Sequence, residues 1–214
     1  MIFQKDCLDT DLTGESVDCI ITDPPYYVLP KGKSLANGTK DSFSWDFFDS
    51  KESFLRWTKE WFDRYYSLLN DDSFMFIFWS QKYFNDGLEL FKPQRVLLWH
   101  YRNLVLGGNG DFAYDYEPIF VVKKGNPKLV PGKHSSILQF TKPQSNFKTD
   151  KLIHPTQKPL ELYKHLIQIT NRNTYLDMFA GSGTLGVACK QLNKDYILVE
   201  KDLKNFQMMQ SRLI

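Results

Sequence analysis

The apolar positions of the chain fall into two patterns. Short unbroken runs alternate with stretches in which large residues recur every three or four positions. Val17 to Ile21 is a short apolar run closed by Asp23, Pro24 and Pro25. Its length and β-branching predict a buried strand, and the paired prolines end it. Phe54, Trp57, Trp61, Tyr65 and Leu68 follow at helical spacing. Ser73 to Trp79 is apolar without alternation, which predicts a central strand covered on both faces. Phe84, Leu88 and Phe91 mark a shorter helix that stops near Pro93. Arg95 to Tyr101 and Pro118 to Lys123 predict two more strands. Pro159 suits the first position of a helix whose inner stripe is Leu162, Leu166 and Ile169. Tyr175 to Phe179 is the next strand, followed by a helix over about 184–192. A strand from Tyr196 to Glu200 and a last helix carrying Leu203, Phe206, Met209 and Leu213 complete the chain. Strands alternating with helices predict an α/β sheet covered on both faces.

Three segments break the alternation. Residues 28 to 46 mix Gly32, Gly38, Ser34, Ser42 and Ser44 with Lys31, Lys33 and Lys40, and predict a locally basic loop. Residues 102 to 114 hold Gly107, Gly108 and Gly110 and are also expected to be loop. Residues 125 to 153 carry Pro127, Pro131 and Pro143, with few apolar positions beyond Ile137 to Phe140. This segment is the one candidate for a small insertion, in a chain of 214 residues that otherwise fits one domain.

Composition narrows the function classes. An apolar share of 42%, with 17 Phe, 11 Tyr and 5 Trp, excludes a disordered chain. A net charge of +2 excludes a polycationic protein but leaves room for a local basic patch. Cys7, Cys19 and Cys189 show no paired spacing, so a reduced cytosolic setting is the simpler expectation. Met1 to Asp9 does not have the form of a secretory leader. The longest apolar run, Phe74 to Trp79, is too short to span a bilayer. The four histidines have no metal-ligand spacing, so no metal is expected.

Two turns carry the candidate chemistry. Asp177 to Thr184, DMFAGSGT, lies between a strand and a helix. Gly181 and Gly183 let the backbone turn tightly and approach a ligand. Glu200 ends the following strand, where an acid can accept hydrogen bonds from ribose hydroxyls. The third glycine of the dinucleotide fingerprint is missing, since Gly186 falls inside the expected helix. No phosphate-cradling GxxxxGK[ST] run occurs. An adenosine ligand without a pyrophosphate fits better, although a structural turn capped by Asp177 would leave the same pattern. The second turn is Asp23-Pro24-Pro25-Tyr26. Asp23 and the Pro24 carbonyl are two acceptors in a proline-stiffened turn, and Tyr26 offers a ring for stacking on a planar base. Together they would clamp an exocyclic amine. The alternative is a stiff turn with Asp23 as a cap and Tyr26 in the core.

The DPPY, HPTQKP (residues 154–159) and DMFAGSGT segments, in this order, resemble the signature segments of the beta-class DNA amino-methyltransferases. The likeness runs from Phe3-Gln4-Lys5-Asp6 to the final helix. It implies the circularly permuted S-adenosylmethionine-dependent methyltransferase fold, with a seven-stranded, mostly parallel sheet and helices on both faces. The strand before Asp23 would be the central fourth strand, with the strand before Phe179 beside it. Asp23, Pro24 and Tyr26 would form the catalytic clamp. Asp177, Phe179, Gly181, Ser182, Gly183 and Thr184 would hold the methionine part of S-adenosyl-L-methionine, and Glu200 the ribose. Thr156 and Lys158 would help with the methionine carboxylate, while Asp6 and Cys7 would lie beside the adenine ring.

The implied activity is site-specific methylation of the 6-amino group of a flipped adenine in double-stranded DNA. Asp23 favours adenine over the 4-amino group of cytosine, because relatives with Ser at this position more often act on cytosine. Methyl transfer to RNA or to a protein amide, and a non-catalytic DNA-binding protein of the same fold, are the remaining alternatives. Lys31, Lys33, Lys40, Lys142, Lys148 and Lys151 are candidate phosphate contacts. The resemblance further implies a cytoplasmic enzyme, bacterial or phage-encoded. It leaves open a homodimer and a cognate restriction endonuclease acting on the same site. Two departures stand out. Tyr27 replaces the small or amide residue common after DPPY and would alter the pocket wall. The 125–153 segment is also short for a target-recognition region.

Overall fold

A computed structural model describes residues 1–28, 46, 48–103, 112, 114–146, 150–154 and 156–214. Eight strands form one sheet: β1 (Ile2–Gln4), β2 (Val17–Thr22), β3 (Leu69–Phe78), β4 (Arg95–Tyr101), β5 (Tyr116–Lys124), β6 (Ile137–Phe140), β7 (Thr174–Asp177) and β8 (Asp195–Glu200). Their order is β1-β8-β7-β2-β3-β5-β4-β6. All pairings are parallel except the two made by β5. β2 is therefore fourth in the sheet, with β7 beside it, as expected.

β2 shows why a doubly covered strand reads as an unbroken run. Cys19 and Ile21 belong to one core and Ile20 to the other, and all three are fully buried. On the Ile20 side lie α1 (Lys51–Leu68) and α2 (Phe84–Phe91), which contribute Phe54, Trp61, Tyr65 and Phe91. On the Cys19 side lie α3 (Leu160–Thr170), α4 (Thr184–Gln191) and α5 (Leu203–Leu213), with Leu162, Leu166, Leu185 and Met209. The N-terminus of α1 is fixed by a capping box between Ser50 and Ser53.

Three details differ from the sequence expectation. Among the described residues the sheet has eight strands rather than seven. The additional one is β6, from the segment expected to be an insertion, and it pairs in parallel with β4. Val130 in the same segment donates its N–H to the Ile169 carbonyl of α3, so this stretch extends the sheet and the helix layer. Pro159 stands one position outside α3, as its N-cap. The free N–H of Leu160 is taken instead by Asp150, at 2.8 Å. The 28–46 and 102–114 loops lie largely outside the described residues.

Candidate active site

The parallel strands β2, β3, β7 and β8 end at one edge of the sheet, and β5, running the other way, begins there. Turns that leave this edge sit outside the strand ends, where open α/β sheets bind ligands. The turn after β2 and the turn after β7 meet there. Thr22 at the end of β2 donates its hydroxyl to Asp177 at the end of β7, at 2.8 Å. Both turns line one cavity of about 870 Å³, within the size range of small-ligand sites.

The glycine-rich turn forms one wall. Gly181 and Gly183 have φ of 51° and 79°, in the left-handed region that glycine enters without a steric penalty. A Cβ on Gly183 would stand 2.7 Å from Met209 Cγ, so α5 also requires glycine at this position. Gly181 N–H donates to Glu200 Oε2 at 2.7 Å, and Asp202 N–H to Oε1 at 2.8 Å. Burial pushes the Glu200 carboxyl above its ordinary range, against these two N–H groups. Asp177 accepts from Thr22 and from the Phe179 N–H, and burial pushes its pKa up to about 7. Arg212 of α5 donates to the Ser182 carbonyl at 2.8 Å and holds the turn from outside.

The other sequence-selected cofactor residues lie around the same cavity. Asp6, Cys7, Thr156, Phe179, Ser182 and Thr184 all line it. Asp6 pairs with Lys201 at 2.8 Å, and the Cys7 carbonyl accepts the Tyr65 hydroxyl at 2.7 Å. Burial raises the Cys7 pKa and keeps it a thiol. Trp57, which sequence reasoning assigned to the α1 core, lines the cavity with its ring centre 5.5 Å from that of Phe179.

Around Asp23 the structure gathers a buried charge cluster. Lys158 Nζ lies 2.8 Å from Asp23 Oδ2 and 2.9 Å from Glu117 Oε1. The Tyr26 hydroxyl lies between Asp23 Oδ1 and, at 2.7 Å, Glu117 Oε1, and its single hydrogen serves one acid at a time. Tyr101 donates to Glu117 Oε2 at 3.1 Å. Burial raises the Asp23 carboxyl above its ordinary range and outweighs the opposing effect of Lys158, with Glu117 adding to the rise. Burial works against the Lys158 ammonium, but the two carboxylates prevail and its pKa is raised.

This geometry redraws several sequence expectations. Lys158 was expected at the methionine carboxylate, and its ammonium is instead held by two acids. Tyr26, expected as a ring for stacking, lines the cavity, and its hydroxyl in addition ties it into the same cluster. Lys142 was expected on a phosphate-facing surface. Its amine stands 3.6 Å from the centre of the Tyr101 ring inside the cavity, and burial lowers its pKa. Tyr27 was expected in the pocket wall, but it packs among Phe48, Phe54 and Tyr83. Lys151 is exposed, whereas Lys31, Lys33, Lys40 and Lys148 lie outside the described residues. Glu117 was missed altogether. Its signal was an acid at the start of an apolar strand, and its meaning depended on β5 being antiparallel.

A family model described as DNA methylase matches residues 17–211. The chain belongs to this DNA methylase family, the beta-class amino-methyltransferases of adenine N6 or cytosine N4. The Type II methyltransferase M2.MboI of Moraxella bovis is 27% identical to this methylase over 235 residues, covering 99% of the chain and 86% of the relative. The Type II methyltransferase M.HpaI of Haemophilus parainfluenzae is 26% identical over 95% of the chain and 70% of the relative. Among solved structures, the M1.HpyAVI–SAM complex superposes with a TM-score of 0.74 at 27% identity, covering 100% of the chain and 98% of the other. The PvuII DNA methyltransferase, described as cytosine-N4-specific, gives 0.76 at 15% identity, with 100% and 86% covered. The fold of the methylase is thus the circularly permuted methyltransferase fold. None of its described helices is long and apolar enough to cross a membrane.

Proposed function

We propose that this methylase transfers the methyl group of S-adenosyl-L-methionine to the 6-amino group of an adenine flipped out of double-stranded DNA. The observation that carries this assignment is the shared cavity. Asp23, the amine acceptor, and the glycine-rich turn with Glu200 face the same space.

The residues present fit the cofactor. Asp177 and Glu200 are 2% and 9% exposed. Among the described residues, neither makes an ion pair with a lysine or arginine. Two buried carboxylates without a cation suit a ligand that brings its own positive charge. Glu200 keeps lone pairs for ribose hydroxyls, because each of its oxygens accepts one backbone N–H and a carboxylate oxygen has room for more. Phe179 and Trp57 supply aromatic faces, and Asp6 and Cys7 line the same cavity. When bound, the cofactor supplies an activated sulfonium methyl.

The chain's own residues supply position and field. Adenine's amine is a weak nucleophile, because its lone pair is delocalised into the ring. Asp23 and the Pro24 carbonyl accept its two hydrogens and favour a pyramidal nitrogen. The same acceptors stabilise the positive charge that grows there and are in place before reaction. Pro24 and Pro25 fix the acceptors' geometry. Flipping the base costs a few kcal/mol, and stacking on Tyr26 returns roughly 1–3 kcal/mol. Lys151 and the lysines outside the described residues are assigned to phosphate contacts, which weaken as salt rises. Asp23 in place of Ser supports adenine as the target. We place the enzyme in the cytoplasm, as one domain over residues 1–214.

The test is mass analysis of nucleosides from DNA incubated with the methylase and labelled cofactor. N6-methyladenine is expected, and N4-methylcytosine alone would reassign the base. Asp23→Ala should abolish transfer while cofactor binding persists in calorimetry. Full methylation by that variant would remove Asp23 from the mechanism.

A further inference from the structure

The acid cluster contains more charge than an amine clamp needs. A clamp requires Asp23 as an acceptor. The structure places a buried ammonium 2.8 Å from it, and that ammonium alone would neutralise the carboxylate. The second acid, Glu117, is 8% exposed and shares Lys158 at 2.9 Å. Counted formally, one ammonium between two carboxylates leaves the cluster one negative charge, and Glu117 is the acid that supplies it.

We infer that Glu117 is a positioning residue that holds the Asp23–Lys158 pair at a net negative charge, so that Asp23 stays able to stabilise the ammonium formed on the target base. This rests on the methyltransferase function proposed above. In the transfer, the amine lone pair forms the new bond to carbon and the carbon–sulfur pair stays with sulfur. The nitrogen gains one positive charge, which it loses when an N–H proton passes to solvent water. A cluster carrying one negative charge matches that transient cation in a site whose acceptors are already in place. A neutral cluster would not match it.

The geometry around Glu117 is built for this purpose. Its Oε2 is fixed by Tyr101 from β4, and its Oε1 receives both Tyr26 and Lys158. The Tyr26 hydroxyl spans the two acids, so their relative position is set. The other titratable groups facing the cluster are Asp177 of β7, Tyr163 of α3 and Lys142 over the Tyr101 ring. The antiparallel direction of β5 brings Glu117 to this edge, in register with Trp99 of β4.

Three variants test the inference at saturating cofactor and DNA: E117Q, K158M and E117Q/K158M. Melting curves and cofactor calorimetry serve as folding controls. E117Q keeps the side chain's size and one accepting oxygen for Tyr26 and Lys158, turns the position facing Tyr101 from acceptor to donor, and neutralises the cluster. Its kcat should fall on the order of 10- to 100-fold, with cofactor affinity nearly unchanged. The acidic limb of its kcat–pH profile should move to lower pH, because Asp23 then faces an ammonium without a second acid. K158M should move that limb to higher pH, and it tests the coupling even if E117Q does not fold. The double variant restores one negative charge and should exceed E117Q in kcat, a recovery that a purely structural role for Glu117 does not produce. Wild-type kcat and pH profile in E117Q, an unmoved limb in K158M, or no recovery in the double variant would each overturn the inference. If the wild-type chain methylates no DNA base, the proposed function fails as well, so the two failures are distinguishable.

Discussion

Tyr27 has a φ of 50°, which costs a non-glycine residue roughly 1–2 kcal/mol. Gly and Asn, the kind of residue the resemblance leads one to expect after DPPY, enter this region more easily. The tyrosine is retained by its ring, stacked on Tyr83 at 6.1 Å, and by its N–H, bonded to Asp46 Oδ1 at 2.5 Å. Relief of strain is smaller than the packing lost from a half-buried aromatic. Tyr27→Asn should therefore destabilise by about 1–2 kcal/mol in denaturant unfolding. Cofactor affinity should be unaltered, since the ring points away from the cavity. Asp177 offers a pH prediction. Its carboxyl is raised from 3.8 to about 7 by burial. A raised acid favours the protonated folded state, so the stability it contributes is full below its unfolded pKa and lost as pH rises through about 7. A cationic ligand needs the ionised form. Cofactor affinity should therefore rise with pH up to about 7 and then level, with proton release detectable by calorimetry in two buffers. Asp177→Asn should bind more weakly and flatten that dependence; an unchanged slope would show that another group titrates. The motif residues Asp23, Asp177 and Glu200 were legible because their neighbours in sequence announce a turn. Glu117 and the partners of Lys158 were not, because ion pairing between distant segments leaves no local pattern.

Most elements could be read from spacing, because each must bury a face. α1 runs over Lys51–Leu68 as its aromatic stripe requires, and the doubly buried β2 and β3 read as apolar runs. β1 was not anticipated. With three residues it has too little pattern of its own, and its existence depends on pairing with β8. β3 begins at Leu69, four residues before the expected Ser73, because Asn70 to Asp72 are polar and partly or fully exposed. β6 was visible as a brief apolar run, but its sheet membership was not, for the partner β4 is supplied by tertiary structure. α2 yields a prediction that separates local propensity from packing. Gly87 is buried in this helix, where alanine is intrinsically better by about 1 kcal/mol. A Cβ there would lie 2.4 Å from Phe120 Cε2 and 2.6 Å from Trp79 Nε1. Both rings are fully buried and cannot swing away. Overpacking of this kind costs about 1–3 kcal/mol and more when rigid rings must move, so Gly87→Ala should lower the melting temperature despite its helix propensity. A rise in melting temperature would show that α2 shifts freely on the sheet.

At the scale of the molecule, the permuted order of the motifs puts the amine clamp near the beginning of the chain and the glycine-rich turn near its end. The sheet order then returns them to one edge, with Thr22 and Asp177 bonded across 155 positions. The cavity draws on Asp6, Asp23 and Trp57 from the first third of the chain and on Lys158, Gly181 and Glu200 from the last. A ligand seated there should therefore link the two ends of the sequence. It binds the folded state and has no comparable site in the unfolded chain, so it stabilises by mass action. At a cofactor concentration 100 times Kd the gain is about 2.7 kcal/mol. For a domain of this size each kcal/mol raises Tm by about 2–4 °C, so S-adenosyl-L-methionine should raise Tm by roughly 5–11 °C. Hydrogen exchange should slow together in β2, β7 and β8 rather than in the glycine-rich turn alone, because the Thr22–Asp177 bond couples the strands beneath both turns. Asp177→Asn, which weakens the ligand and that bond together, should reduce both the Tm rise and the protection of β2. Protection confined to β7 and β8 would mean that the clamp and the cofactor wall, although adjacent, respond to the ligand independently.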